Sequence, residues 1–178
     1  MKELKLANGE TVEIRYAITT DADELIEYLE KISGESDNLT FGPGEFGMSV
    51  EQEENFLDNI SSQNNAIYLV AYSGPRIVGS LNFSGGSRPR IAHTGEFGVS
   101  VLKGYWGNSI GTELIRYLID WCKQSGVIRK INLRVRTDNF PAIHLYKKLG
   151  FCEEGVITRE FLLQSKFYDT LLMGLNID

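Results

Sequence analysis

The stretch Gly98-Val99-Ser100-Val101-Leu102-Lys103-Gly104-Tyr105-Trp106-Gly107-Asn108-Ser109-Ile110-Gly111-Thr112 reads as a strand, a loop of small residues and the start of a helix. Beyond it, Ile110, Leu114, Leu118, Trp121 and Cys122 recur on one helical face, so the spacing predicts a helix over Ile110 to Lys123. Such a loop leaves the first-turn N–H groups without internal acceptors. Those donors and the helix dipole together favour an anion, typically a phosphate. The spacing is not that of the nucleotide P-loop, since no Gly-Lys-Ser/Thr follows, nor that of the Gly-x-Gly-x-x-Gly dinucleotide turn. Glycines that only shape a strand-to-helix turn would look the same, so the loop alone leaves both readings open.

Working outward, strands are expected over Thr11 to Ile18, Ala66 to Tyr72, Arg76 to Phe83, Ile91 to Leu102, Arg129 to Arg136, Glu154 to Leu163 and Lys166 to Leu175. Helices are expected over Asp21 to Ser33, capped by Thr19 or Thr20, and from Ser49 to about Ser61. A short one runs from Asn139 to Leu149 and stops at Gly150. Between the first two helices lies a Gly-rich loop, Gly34 to Gly47, that carries Phe41, Glu45 and Phe46. The order β-α-α-β-β-β-α-β-α-β-β implies a mixed α+β (α/β) fold, with a mixed, mostly antiparallel sheet flanked by helices. No repeat or Pro/Ser-rich linker interrupts residues 1–178, which read as a single domain.

Composition narrows the function. The 18 Lys and Arg against 24 Asp and Glu give a formal net charge of -6, which argues against a nucleic-acid partner. No apolar run is long enough for a membrane span, and Met1-Lys2-Glu3-Leu4-Lys5 lacks the apolar core of a secretion signal, so the expected location is cytoplasmic. Cys122 and Cys152 lack metal-ligand spacing and read as core cysteines; no metal is expected.

The loop does not stand alone. After the helix come Lys130-Ile131-Asn132-Leu133-Arg134-Val135-Arg136 and then Asn139, Ala142, Tyr146, Gly150 and Phe151, spaced Asn-x-x-Ala-x-x-x-Tyr-x-x-x-Gly-Phe. Together these closely resemble the acetyl-coenzyme A core of the GNAT acetyltransferases. The phosphate loop of that family reads Gln/Arg-x-x-Gly-x-Gly/Ala, and the matching residues here are Trp106, Gly107, Asn108, Ser109, Ile110 and Gly111, with Thr112 following. Trp106 and Ser109 depart from the pattern; backbone donors tolerate the first, and Ser109 is small enough to cap the helix.

The resemblance implies a splayed strand pair in a twisted sheet, with acetyl-coenzyme A as co-substrate and an amine as acceptor. Val99 and Val101, on a bulged strand, would offer N–H groups to the pantetheine arm and the thioester carbonyl. Asn139 and Ala142 would lie along the arm, and Tyr146 would protonate the leaving thiolate. Glu96 is the expected base, partly buried, with His93 as second candidate and His144 as a packing or surface residue. Phe41, Glu45, Phe46 and Tyr168 are expected around the acceptor, and Tyr168 to Met173 resembles the closing strand of members that modify protein N-termini or polyamines. A homodimer is compatible with this reading. A coenzyme A-binding sensor of the same fold without turnover is the alternative.

Overall fold

The computed structural model describes the whole chain, Met1–Asp178. Eight strands form one sheet: β1 (Lys2–Lys5), β2 (Thr11–Tyr16), β3 (Ala66–Ser73), β4 (Arg76–Gly85), β5 (Thr94–Val101), β6 (Lys130–Arg136), β7 (Cys152–Leu163) and β8 (Lys166–Asn176). Their spatial order is β1-β2-β3-β4-β5-β6-β8-β7. All pairs are antiparallel except β5 with β6. That parallel pair needs a crossover, which helix α3 (Ile110–Ser125) supplies. The other helices are α1 (Ala22–Ser33), α2 (Val50–Ser61) and α4 (Phe140–Lys148).

The two faces of the sheet carry different helices. Phe83 and Phe97 are register partners on β4 and β5; Trp121 of α3 packs on the first and Tyr146 of α4 on the second. On the opposite face, the Tyr28 hydroxyl of α1 meets Ser100 Oγ at 2.8 Å. Strand β3 therefore lies between helices on both sides, and six of its residues in a row, Ala66 to Ala71, are buried rather than alternating. Helix α1 buries Leu25, Tyr28, Leu29 and Ile32, the i, i+3, i+4, i+7 stripe.

Strands β5 and β6 pair only from Thr94–Glu96 to Lys130–Asn132. Beyond Glu96 the first stays with β4 up to Val101, and the second stays with β8 up to Arg136. Each strand follows its antiparallel neighbour, and the parallel seam opens between them into a wedge. The expected splay is present.

Four expectations at the element level are corrected. The polar start of the chain forms β1, an edge strand held where Lys2 pairs with Glu113 of α3. Strand β5 begins at Thr94 rather than Ile91, after a turn closed by Thr94 N to Ile91 O at 3.1 Å. Neither Thr19 nor Thr20 caps α1; Asp21 organises that turn, accepting from Ile18 N at 2.9 Å and from the Arg15 guanidinium at 2.7 and 2.8 Å. Cys122 is buried as expected, and burial pushes its thiol up to about 12, but Cys152 is exposed at the start of the edge strand β7.

Candidate functional site

The wedge is lined by backbone. Leu102 N donates to Val78 O at 2.9 Å, which fixes which way β5 points its polar groups. By the alternation of an antiparallel strand, the N–H and C=O groups of Val99 and Val101 face away from β4, into the gap. The Val101 carbonyl is taken by Trp106 Nε1 at 2.6 Å. The expected bulge is absent: the β4–β5 register runs without a shift from Gly85–Gly95 to Gly79–Val101. Parting from β6, rather than a bulge, frees these groups.

At the open end of the wedge the chain turns into α3. Gly107 and Ser109 both take left-handed backbone, with φ of 77° and 62°. This explains why the family pattern has glycine where Ser109 stands. Contrary to expectation, the Ser109 side chain makes no capping bond. Asn108 ties the loop to itself, its Nδ2 donating to Tyr105 O at 3.2 Å and Trp106 O at 3.3 Å. The first intrahelical bond is Glu113 N to Ser109 O at 2.9 Å, so the N–H groups of Ile110, Gly111 and Thr112 precede the ladder and have no acceptor within the helix. The Ile110 side chain is buried, which leaves only its backbone to serve a ligand.

Gly111 is the informative residue. Its φ is not positive, and a Cβ built there would make only an ordinary contact, 3.7 Å from Val101 Cγ2. The fold accepts alanine at this position, yet the sequence keeps the residue that weakens a helix. A bare backbone beside free N–H groups at a helix start fits a pyrophosphate approaching closely.

Helix α4 closes the other side. Asn139 caps it, Oδ1 accepting from Ala142 N at 3.4 Å. Tyr146 is buried in an aromatic cluster, its ring 6.0 Å from both Phe97 and Phe151. Phe97 is the first residue of β5 past the last β6 pair, so this phenol sits at the apex of the wedge. Burial pushes Tyr146 up to about 12, and no hydrogen bond counters it. His144, on the same helix, is exposed.

On the α1/α2 face the apex is charged. Arg134 Nε donates to Glu96 Oε1 at 2.9 Å and Oε2 at 3.2 Å, and its NH1 reaches Glu160 Oε1 at 2.6 Å. Thr170 donates to the other Glu160 oxygen. Burial opposes ionisation of Glu160, but the Thr170 and Arg134 hydrogen bonds prevail and hold its carboxyl below the ordinary value. Glu96 is not partly buried as expected: its side chain is 44% exposed and ion-paired. His93 is exposed and lies three residues earlier, in the turn that precedes β5. Asn82 and Gly98, register partners and both exposed, floor this patch. Sequence reasoning missed Asn82, Arg134 and Glu160, because only the strand register brings them beside Glu96.

The residues expected around the acceptor are otherwise engaged. Glu45 folds onto its own loop, Oε2 accepting from Gly42 N at 2.7 Å. Phe41 and Phe46 pack on one another at 5.4 Å and against the core. The Tyr168 ring already meets two cations of this chain: the Arg136 guanidinium lies 3.9 Å from its ring centre and Lys166 Nζ 4.7 Å. Arg136 also donates to Asp37 O at 2.9 Å and pairs with Asp138, fastening the Gly34–Gly47 loop to the end of β6. No cluster of three or more His, Cys, Asp or Glu gathers that could hold a metal, and no helix is long and apolar enough to cross a membrane.

The sequence model of the acetyltransferase (GNAT) family matches residues 25–151, which span the wedge, the loop and α4. The chain belongs to this family. A crystal structure of a GNAT-family acetyltransferase from Streptococcus pneumoniae superposes with a TM-score of 0.90 at 35% identity, covering 94% of this chain and 99% of that one. The structure of yncA from Salmonella typhimurium with its cofactor acetyl-CoA shares the fold, with a TM-score of 0.81 at 18% identity and 94% of each chain covered. The L-amino acid N-acetyltransferase AaaT of Escherichia coli (strain K12) is 33% identical over 106 residues, 60% of this chain. The match covers 65% of that relative's length, under two thirds of it.

Proposed function

We propose that this GNAT protein is an acetyl-coenzyme A-dependent N-acetyltransferase that acylates a primary amine by direct attack. The observation that carries the reading is the wedge itself: strand N–H groups aimed into a gap, continuous with a glycine-bare helix start. Acetyl-coenzyme A, when bound, supplies an activated acetyl thioester. The N–H groups of Ile110, Gly111 and Thr112 hold its phosphates, and those of Val99 and Val101 hold its arm and polarise the acyl carbonyl. Asn139 and Ala142 border the arm from α4. Tyr146 keeps a proton on its hydroxyl throughout the neutral range and gives it to the departing sulfur.

The charge at the apex favours a cationic acceptor. Glu96 and Glu160 share the single guanidinium of Arg134, which leaves one negative charge over, and an ammonium completes the set. Amines with ordinary pKa arrive as ammonium ions at neutral pH, so such a site collects them. Glu96, ion-paired and exposed, acts here as an anchor for the cation. The similarity to an L-amino acid N-acetyltransferase supports an amine acceptor.

The test is purified protein with acetyl-coenzyme A and a panel of amino acids, polyamines, peptide N-termini and hydroxyl compounds. Thiol release should depend on an amine, with mass spectrometry showing an amide product. Acetylation of hydroxyl acceptors alone would overturn the reading, and binding of coenzyme A without turnover on any acceptor would favour the sensor.

A further inference from the structure

Strand β7 changes register part-way along. Ile157 is the partner of Thr170 and Phe161 that of Tyr168, so Thr158, Arg159 and Glu160 together face the single residue Asp169 of β8. Three residues opposite one make a bulge, which bends an edge strand and re-aims its side chains. Arg159, at its centre, takes left-handed backbone with φ of 56°. A side chain with a Cβ disfavours that conformation, which persists only where the surroundings hold it. Here Asp169 holds it: Oδ1 accepts from Arg159 N at 2.8 Å. The Asp169 carbonyl in turn accepts from Thr137 N at 3.0 Å, which ties the latch to the end of β6.

The bulge turns Glu160 onto the sheet. Glu160 starts on β7 and Arg134 on β6, with β8 between them. Across two strand spacings, about 9–10 Å, the side chains nevertheless meet, Arg134 NH1 lying 2.6 Å from Glu160 Oε1. Thr170, on the intervening strand, donates to the other oxygen. Turned outward, Glu160 would leave Arg134 with Glu96 alone, a neutral pair. The negative charge left over at the apex therefore depends on the bulge. Arg159 does not join this group: its guanidinium lies 5.1 Å from the Phe167 ring centre.

We infer that Asp169 is a positioning residue for the acceptor, and that the Thr158–Glu160 bulge it latches gives the apex its affinity for an ammonium ion. The inference rests on the amine-acetylation reading. Asp169 acts through Glu160, one of its own oxygens being taken by the Arg159 N–H. Its part is in binding, and no bond forms or breaks at it.

The experiment is steady-state kinetics with acetyl-coenzyme A and one amine acceptor, on wild type and a small set of variants. Glu160→Gln should raise the KM for the amine by about ten-fold or more, the scale of one charge-assisted hydrogen bond, with the KM for acetyl-coenzyme A unchanged. Asp169→Ala should do the same from outside the acceptor site. Asp169→Asn keeps an oxygen for the Arg159 N–H and drops the charge, so it should stay within a few-fold of wild type. Adding Arg159→Gly to Asp169→Ala should recover much of the loss, because glycine takes left-handed backbone without a latch. Asp169→Ala placed in the Glu160→Gln protein should add no further loss, since both act on one interaction. A folded Asp169→Ala protein with the wild-type KM for the amine overturns the latch alone. So does an Asp169→Asn protein as impaired as the alanine variant, since the charge of Asp169 would then be the cause. Wild type that acetylates no amine overturns the parent reading and the latch with it.

Discussion

Trp106 Nε1 donates to the Val101 carbonyl at 2.6 Å, so the loop before α3 is clipped to the strand it leaves. The position where relatives carry Gln or Arg is therefore occupied by a side chain with a specific task. The clip occupies the Val101 carbonyl and leaves the Val101 N–H facing the gap. The indole is itself 54% exposed, so little packing depends on it. Trp106→Phe keeps the ring and removes the donor. It should weaken coenzyme A by several-fold to about ten-fold, the order of one lost hydrogen bond, while Tm changes little. Calorimetry on the two proteins decides; unchanged affinity would make the clip incidental.

Gly111 separates the needs of the ligand from those of the fold. With 3.7 Å to the nearest atom of Val101, a methyl group fits the free protein. Gly111→Ala should stabilise the free protein by up to ~1 kcal/mol through helix propensity. The same substitution should weaken coenzyme A, and Gly111→Asp should abolish binding by adding bulk and negative charge at the pyrophosphate. Thermal melts with and without ligand test both halves. A stabilised Gly111→Ala protein that binds as well as wild type would sink the phosphate assignment.

Tyr146 should matter to the rate and hardly to stability. Its hydroxyl makes no hydrogen bond within the chain, and the ring packing on Phe97 and Phe151 survives in phenylalanine. Tyr146→Phe should keep coenzyme A binding and lower kcat roughly ten- to a thousand-fold. Burial raises this phenol to about 12, so the acid stays loaded as pH rises. Wild-type activity should therefore not fall through loss of this proton anywhere below about pH 10. A basic limb near pH 9 that disappears in Tyr146→Phe would contradict the environment described here.

How much of this could be read from sequence follows from which signals are local. The turn from β5 into α3 and the capped start of α4 lie within short stretches, so both helix starts were legible locally, while the roles expected of the loop, Asn139 and Tyr146 came from the family resemblance. The splay was legible only through family resemblance, since nothing in β5 alone says where it parts from β6. What sequence missed depends on register: Arg134 meets Glu96 because Glu96 pairs with Asn132, two residues before Arg134, and Glu160 arrives from a strand beyond β8. The hydrogen bond from the Gly42 N–H to Glu45 was not legible, because it depends on how the Gly34–Gly47 loop turns back on itself. Strand β1 was missed because both its charged residues and its apolar Leu4 sit on a sheet edge, where alternation is weak.

Glu53 is 1% exposed with neither carboxylate oxygen hydrogen-bonded, and this makes a prediction about stability. Its carboxyl is raised above the ordinary value of 4.5 in the folded protein, so between that value and the folded one the native state binds more protons than the unfolded chain. Stability therefore falls as pH rises through this window, and the contribution is fully present only below about 4.5. Glutamine at this position cannot ionise. Glu53→Gln should match wild type near pH 4 and become more stable than it as pH rises through the raised folded value, by on the order of 1–3 kcal/mol, the desolvation cost of an unpartnered buried group. Urea denaturation of both proteins across pH 4 to 8 measures the difference directly, and other titrating groups cancel in it. A gap that does not widen with pH would mean that Glu53 finds a partner or water on ionising.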